Sequence, residues 1–476
     1  MGRDLYKDFH YIQNEKTGVL FHNKSLNYYR VFDENIKKYF KSYFIDHETR
    51  FYKEVESILD TVTNEINNSY LDNYFSQESY NEYILEKLVI IVTNNCNCIC
   101  KYCYANGGSY GLDVNNMKRD EAKNIIDYFV KNFRVIYNIQ IFGGEPMLNY
   151  DVIKVICEYF EDLKDNNIID YMPQFGIVTN GTYLPYEAID IMKKFRFNIT
   201  ISLDGEKIIH DSLRIKKTGE GTFNHIKNNY IKMVENGINK ERISFECTYT
   251  HKHIENNISF VDLFKFFKNE FDCLITHITP VCIEENNFLS LNKDKEIIKK
   301  YIKEAVEYTF DTMLKEKIIN SCAIIIEVIQ RLIRKIPIQY ICPAGVNNLT
   351  VTQDGIIYPC FMFIGTDLSV GNINISSDEI MSNTKMFNLK FNAKFLDDLC
   401  KTCWARYICS FCLGSFGDIK NKDRSYGAEI MCVMMKEILE NVLLKLAELK
   451  ASEENWQILQ KVLFYQDEQN RKIYSL

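Results

Sequence analysis

The run Thr93-Asn94-Asn95-Cys96-Asn97-Cys98-Ile99-Cys100-Lys101-Tyr102-Cys103-Tyr104-Ala105 follows directly on the apolar stretch Leu88 to Val92. Cys96, Cys100 and Cys103 stand at C-x3-C-x2-C spacing, which places three thiolates on one short loop. Three thiolates can hold three irons of a cubane and leave the fourth iron open to a small chelating molecule, into which the cluster can pass an electron. A C-x2-C pair alone is commonly a zinc knuckle, and a lone cysteine is commonly a small buried hydrophobe. Three thiols at this spacing, just after a strand-like run, favour the cluster. Cys98 lies out of register and reads as a bystander.

Working outward, the chain has 476 residues, about three domains on the usual length prior. Hydrophobic content of 46% against 25% charged residues predicts packed cores rather than disorder. The net charge is −7 and no Lys/Arg block dominates, which argues against nucleic acid as a partner. Met1 to Phe9 is charged and lacks the apolar core of an export signal, and no stretch nears 18 uninterrupted apolar residues, so no membrane partner and a cytoplasmic location are expected. Sixteen cysteines in such a chain point to metal or cluster ligation rather than disulfides.

Between about residues 85 and 285, short β-rich runs alternate with amphipathic helical stretches: Leu88–Thr93, Ile136–Phe142, Gln174–Thr179, Phe197–Leu203, Ile243–Thr250 and Leu274–Val281. Six strands with helical crossovers predict an α/β fold, a parallel sheet or open barrel, with chemistry gathered at the strands' C-terminal ends. Each further motif falls at such an end. Gly143-Gly144-Glu145-Pro146 offers close backbone approach, a carboxylate able to accept from an ammonium, and a stiff exit. Thr179-Asn180-Gly181-Thr182 and Ser202-Leu203-Asp204-Gly205 contain ordinary turn formers in the right places. Arg214 is either a surface arginine or a partner for a carboxylate.

A second cysteine field comprises Cys342, Cys360, then Cys400-x2-Cys403-x5-Cys409-x2-Cys412, and Cys432. Val351 to Cys360 reads as a hairpin with an Asp354-Gly355 turn. Paired C-x2-C spacing is also zinc-ribbon arithmetic, so zinc and iron–sulfur both remain open here.

Taken together, the Cys96–Cys103 run, Gly143–Pro146 and the seven later cysteines resemble radical S-adenosylmethionine (SAM) enzymes with a SPASM domain, in particular peptide maturases. The resemblance implies a partial (β/α)6 radical SAM barrel over 85–320, a SPASM domain over 321–450 and a tail over 451–476. It implies three 4Fe–4S clusters and SAM. Cys96, Cys100 and Cys103 would hold the SAM-binding cluster; Cys400, Cys403, Cys409 and Cys432 an outer auxiliary cluster; Cys342, Cys360 and Cys412 an inner one. Tyr102, Gly143, Gly144, Glu145 and Pro146 would serve SAM, with Glu145 at the motif that binds its amino group; Thr179, Asn180, Ser202 and Asp204 would face its ribose and carboxylate, and Arg214 would pair with the carboxylate. One departure stands out: two residues, Ser410 and Phe411, separate Cys409 from Cys412 where relatives have three.

Relatives with a fully ligated inner cluster carry a further cysteine near the first SPASM cysteine, and Arg331 to Ile341 has none. An open iron for a substrate thiolate is therefore expected, and with it sulfur-to-carbon thioether formation in a leader-bearing, cysteine-containing precursor peptide, fed by a flavodoxin- or ferredoxin-type reductant. Competing readings are a sulfatase-maturing Ser/Cys dehydrogenase, an epimerase, a carbon–carbon crosslinker, and a zinc-binding adaptor. Residues 1–84, with strand-like His10–Asn14, Gly18–His22 and Tyr28–Phe32 before helical Asp33–Phe44 and His47–Asn64, loosely resemble a winged-helix peptide-recognition element, which would capture a leader as an added strand. Met431–Lys450 reads as a packing helix through Leu439, Val442, Leu443 and Leu446. Cys157, Cys247, Cys273 and Cys282 read as packed thiols.

Overall fold

Three antiparallel strands, β1 (Phe9–Gln13), β2 (Gly18–His22) and β3 (Asn27–Val31), pair in sequence order, with Gln13 opposite Gly18 and His22 opposite Asn27. Their pleat sends Phe9, Tyr11, Leu20 and Val31 onto helices Glu34–Phe40 and Tyr52–Glu65, while Ile12, Val19 and Phe21 join the main core. Packing on both faces buries all five residues of β2. The second face meets the helix Ala428–Leu449, in which Leu439, Val442, Leu443 and Leu446 are fully buried. This computed structural model describes residues 8–66, 83–421 and 427–474, with side chains described as far as residue 464. Most of the N-terminal stretch read for an export signal, the segment 67–82 before the barrel, 422–426 and the last two residues lie outside the described residues.

The barrel strands are β4 (Ile84–Thr93), β5 (Val135–Gly143), β6 (Gln174–Thr179), β7 (Asn198–Ser202), β8 (Ile243–Tyr249) and β9 (Ile275–Pro280), each parallel to the next. Parallel neighbours require crossovers. Helices such as Arg119–Asn132 and Tyr150–Asp165 supply them, burying Ile125, Phe129, Ile156 and Phe160 against the sheet. Alternation is clean on β8, where Ile243, Phe245, Cys247 and Tyr249 are buried and Ser244, Glu246 and Thr248 are half-buried on the opposite face.

The sheet does not stop with these six. β10 (Ser321–Cys322) pairs parallel to β9, and β11 (Asn348–Val351) pairs parallel to β4, placing Leu349 beside Leu88 and Val351 beside Ile90. The expected hairpin forms between β11 and β12 (Ile356–Tyr358), and β13 (Gly371–Asn372) completes a ten-stranded sheet. Cys157, Cys247 and Cys322 are buried in the core. Among the described residues, no helix is long and apolar enough to cross a membrane.

Candidate active site

The Cys96–Cys103 loop leaves the end of β4 and is pinned on both sides. Thr93 Oγ1 donates to Asn116 Oδ1 at 2.5 Å, and Asn94 Oδ1 accepts from the Asn115 N–H at 2.5 Å. On the other side Ile99 N–H donates to Ile215 O at 2.8 Å and Lys101 N–H to Leu213 O at 3.0 Å. Cys96 is buried, Cys100 and Cys103 half-buried. Cys98, which sequence reading set aside, has a part to play: its neighbouring thiol and its backbone N–H, which donates to Cys96 Sγ at 3.4 Å, lower the Cys96 thiol together with the Asn180 amide. Burial pushes Cys100 up to about 11, against the pull of Arg214, whose Nη1 lies 3.8 Å from its sulfur.

Why Gly143 and Gly144 are glycines is plain from the backbone. Gly144 N–H donates to Thr93 O at 2.9 Å and Glu145 N–H to Asn95 O at 2.8 Å, so the two strand-end loops lie against each other. A Cβ on Gly143, at φ +149°, would sit 2.1 Å from Thr93 O, and one on Gly144 2.3 Å from Asn95 O. The close approach these glycines permit is thus to the cysteine loop itself.

The Glu145 carboxylate is fully buried: Oε1 accepts from Thr179 Oγ1 at 2.7 Å and Met147 N–H at 3.0 Å, and Oε2 from Asn180 N–H at 2.7 Å. Burial raises it to about 7, with those three donors opposing. It braces β5 to β6, and Thr179 is committed to it. Asn180 instead turns to the cysteine loop, donating to Asn97 Oδ1 at 2.8 Å. Pro146 opens the short 3-10 turn Pro146–Asn149 that Glu145 caps.

Asp204 and Arg214 also turn inward. Asp204 is fully buried; Oδ2 accepts from the Tyr102 hydroxyl and from Arg214 Nε at 3.1 Å, and Oδ1 from Thr248 N–H at 3.1 Å. Arg214 lies over the Tyr102 ring at 5.4 Å. They pair with each other and hold Tyr102 and Cys100, because an unpaired charge this deep is too costly. His210 completes the group. Its Nδ1 accepts from Asp204 N–H at 3.1 Å, leaving Nε2 to donate to Thr222 Oγ1 at 2.7 Å. Ser202 stays on the half-buried face, beside Glu246 in register.

The seven later cysteines sort into two groups. Cys342, Cys360 and Cys412 act electrostatically on one another, and burial pushes Cys342 up to about 12 and Cys360 further. Cys342 and Cys412 share a cavity of about 730 Å3 with His277 and Thr279 of β9. Cys409 feels Lys394, Cys432, Cys403 and Cys400, and these four thiols line a second cavity of about 570 Å3. The shortened spacing does not keep Cys412 from the Cys342 group. Cys282, half-buried beyond β9, lies within electrostatic reach of Cys412.

Two features that sequence reading missed join the first site to the Cys342 group. Phe142, at the end of β5, stacks on Phe361 beside Cys360, with centroids 4.4 Å apart, and Tyr104 lies 6.3 Å from the same ring. Glu246, half-buried on β8, acts electrostatically on both Arg214 and Cys412. Its place, mid-strand with no local motif, gave no sequence signal. The donor chemistry fits the expected clusters: each group consists of thiols that act electrostatically on one another, and a buried thiol becomes a thiolate on binding iron, while among the described residues no three such side chains converge as they would on a single metal ion.

Comparison with known proteins agrees. Residues 90–267 match the model of the Radical SAM superfamily, and residues 342–404 that of SPASM, an iron-sulfur cluster-binding domain. A cysteine-type anaerobic sulfatase-maturating enzyme of Clostridium novyi is 25% identical over 391 residues, 76% of this chain and 96% of that protein. Two other curated relatives are matched over only 48% and 49% of their own length. Among solved structures, native anSMEcpe with bound AdoMet aligns at TM-score 0.60 and 19% identity, covering 76% of this chain and 99% of that one. Streptococcus suis SuiB bound to precursor peptide SuiA aligns at TM-score 0.50 and 17% identity, covering 88% and 97%. The radical SAM domain binds a 4Fe–4S cluster and SAM, and the SPASM domain binds auxiliary iron–sulfur clusters.

Proposed function

We propose that this radical SAM protein with a SPASM domain installs sulfur-to-carbon thioether crosslinks in a leader-bearing, cysteine-containing precursor peptide. The observation that carries the reading is the group of three motif thiols, Cys342, Cys360 and Cys412, set across the Phe142–Phe361 stack from the Cys96 loop. Three thiols leave one iron for a thiolate of the peptide. Cys96, Cys100 and Cys103 would hold the cluster that binds SAM, and Cys342, Cys360 and Cys412 the inner one; together these groups would supply radical hydrogen abstraction from a peptide carbon and an oxidising site for the peptide thiolate that joins it.

The chain's own residues prepare this. The glycine pair and Glu145 lock the cysteine loop to β5 and β6. Asp204 and Arg214 fix Tyr102 and place a positive charge beside Cys100. The Phe142–Phe361 stack links the end of β5 to the segment that carries Cys360, with the exposed Tyr104 beside it. We assign residues 1–84 to peptide recognition, 85–320 to the barrel, 321–450 to the auxiliary clusters and 451–476 to a tail. β1 and β3 are the edges of the N-terminal sheet, where a leader could add as a strand. A flavodoxin- or ferredoxin-type protein of the cytoplasm would deliver electrons.

The match across 96% of the Clostridium novyi enzyme favours one rival, oxidation of a Ser or Cys in a sulfatase. One experiment separates them. The anaerobically reconstituted enzyme is given SAM, reductant and the peptide encoded beside its gene, and the product is alkylated and weighed. Loss of two hydrogens per bridge together with loss of an alkylatable thiol supports the crosslink. Two hydrogens lost with every thiol still alkylatable refutes it, and turnover of a sulfatase peptide instead establishes the dehydrogenase.

A further inference from the structure

Lys394 lines the cavity of the outer thiols Cys400, Cys403, Cys409 and Cys432, yet it is only 3% exposed. Its ammonium donates to Arg406 O at 2.7 Å and to Cys409 O, both on the loop that carries Cys403 and Cys409. Among the described residues no carboxylate pairs with it, and those lining the cavity include no Asp or Glu but a second lysine, Lys436. A buried ammonium without an anion is expensive. What offsets that cost must enter the cavity, and a cluster on four thiolates, negative overall, does so.

We propose that Lys394 is a positioning residue that sets the reduction potential of the outer cluster. Its fixed positive charge, anchored to two carbonyls of the ligand loop, favours the cluster state that carries one more negative charge, and so raises the potential. This rests on the assignment of Cys400, Cys403, Cys409 and Cys432 to one cluster.

The test is a redox titration of reconstituted holoenzyme followed by electron paramagnetic resonance, with iron and sulfide counted in each sample. Lys394→Gln keeps hydrogen-bond donors for the two carbonyls, Lys394→Met removes them, and Lys394→Arg keeps the charge. The expected result is an outer-cluster midpoint lower in the Gln and Met proteins by a tenfold or greater loss of electron affinity, about 59 mV for one electron. The Arg protein should stay near wild type, with the other clusters unmoved. Unchanged midpoints in both neutral variants overturn the proposal. So does loss of the outer cluster from both, which would assign Lys394 to holding the loop. A Cys432→Ala protein that retains all three cluster signals would remove the ligand assignment, and the proposal with it.

Discussion

The two cysteine regions solve one ligation problem in opposite ways. The Cys96 site takes its three thiols from eight consecutive residues and spends the rest of the barrel on bracing them: a glycine pair, the Glu145 brace and the Asp204–Arg214 pair. The later field draws seven thiols from segments spread over residues 342–432 and brings them together only through tertiary structure. A local motif can be held by its neighbours; a dispersed one needs the domain to fold first. The difference predicts which perturbations stay local.

The widest separation should come from Cys96→Ala against Cys432→Ala. The first is expected to reduce SAM cleavage to background, while the second leaves peptide-free SAM cleavage within about twofold and removes about four of twelve irons, measured by iron analysis and 5′-deoxyadenosine release. If both lose cleavage equally, the regions are not independent. Next, Asp204→Ala leaves the half-buried Arg214 without its carboxylate partner, at a cost of about 3 kcal/mol in denaturant unfolding. A cost below about 1 kcal/mol would mean the barrel does not brace the loop through this pair.

Acid should strike the first region through His210. Burial lowers it from 6.5 to about 4. Between those values the unfolded chain binds a proton at His210 that the folded one does not, so this residue's contribution is full above pH 6.5, falls as pH drops, and stops falling near 4, opposed between about 7 and 4.5 by the raised Glu145. At about 1.4 kcal/mol per unit the ceiling is about 3 kcal/mol. His210→Gln should flatten that slope in a pH series of melting curves; an unaltered slope refutes the assignment. The smallest effect belongs to Cys282→Ala. Iron per chain should not change and stability should shift by about 1 kcal/mol or less, whereas loss of the inner cluster would make Cys282 its fourth ligand and close the open iron.

Much of the first region was legible in sequence because its information is local. The six apolar runs mark their strands to within a few residues, and Thr93 to Ala105 needs no distant partner to be read. The partners that Glu145 and Asp204 take within the fold were not legible. Those partners are Thr179 and Asn180 at the end of another strand, and Tyr102 far back in the chain. Glu246 and Lys394 carry no motif, and only the folded chain shows what stands around them. The sorting of seven cysteines was legible through family resemblance, not through spacing.

The parallel pairing of β11 with β4 has a consequence for anyone cutting this protein apart. Leu88 to Ile90 has β5 on one side and β11 on the other. A fragment ending before residue 348 would bare the backbone donors and acceptors of that strand along an apolar edge, a ready template for another chain. The isolated barrel should therefore precipitate or stack edge to edge, and solubility, rather than chemistry, would be the first thing lost.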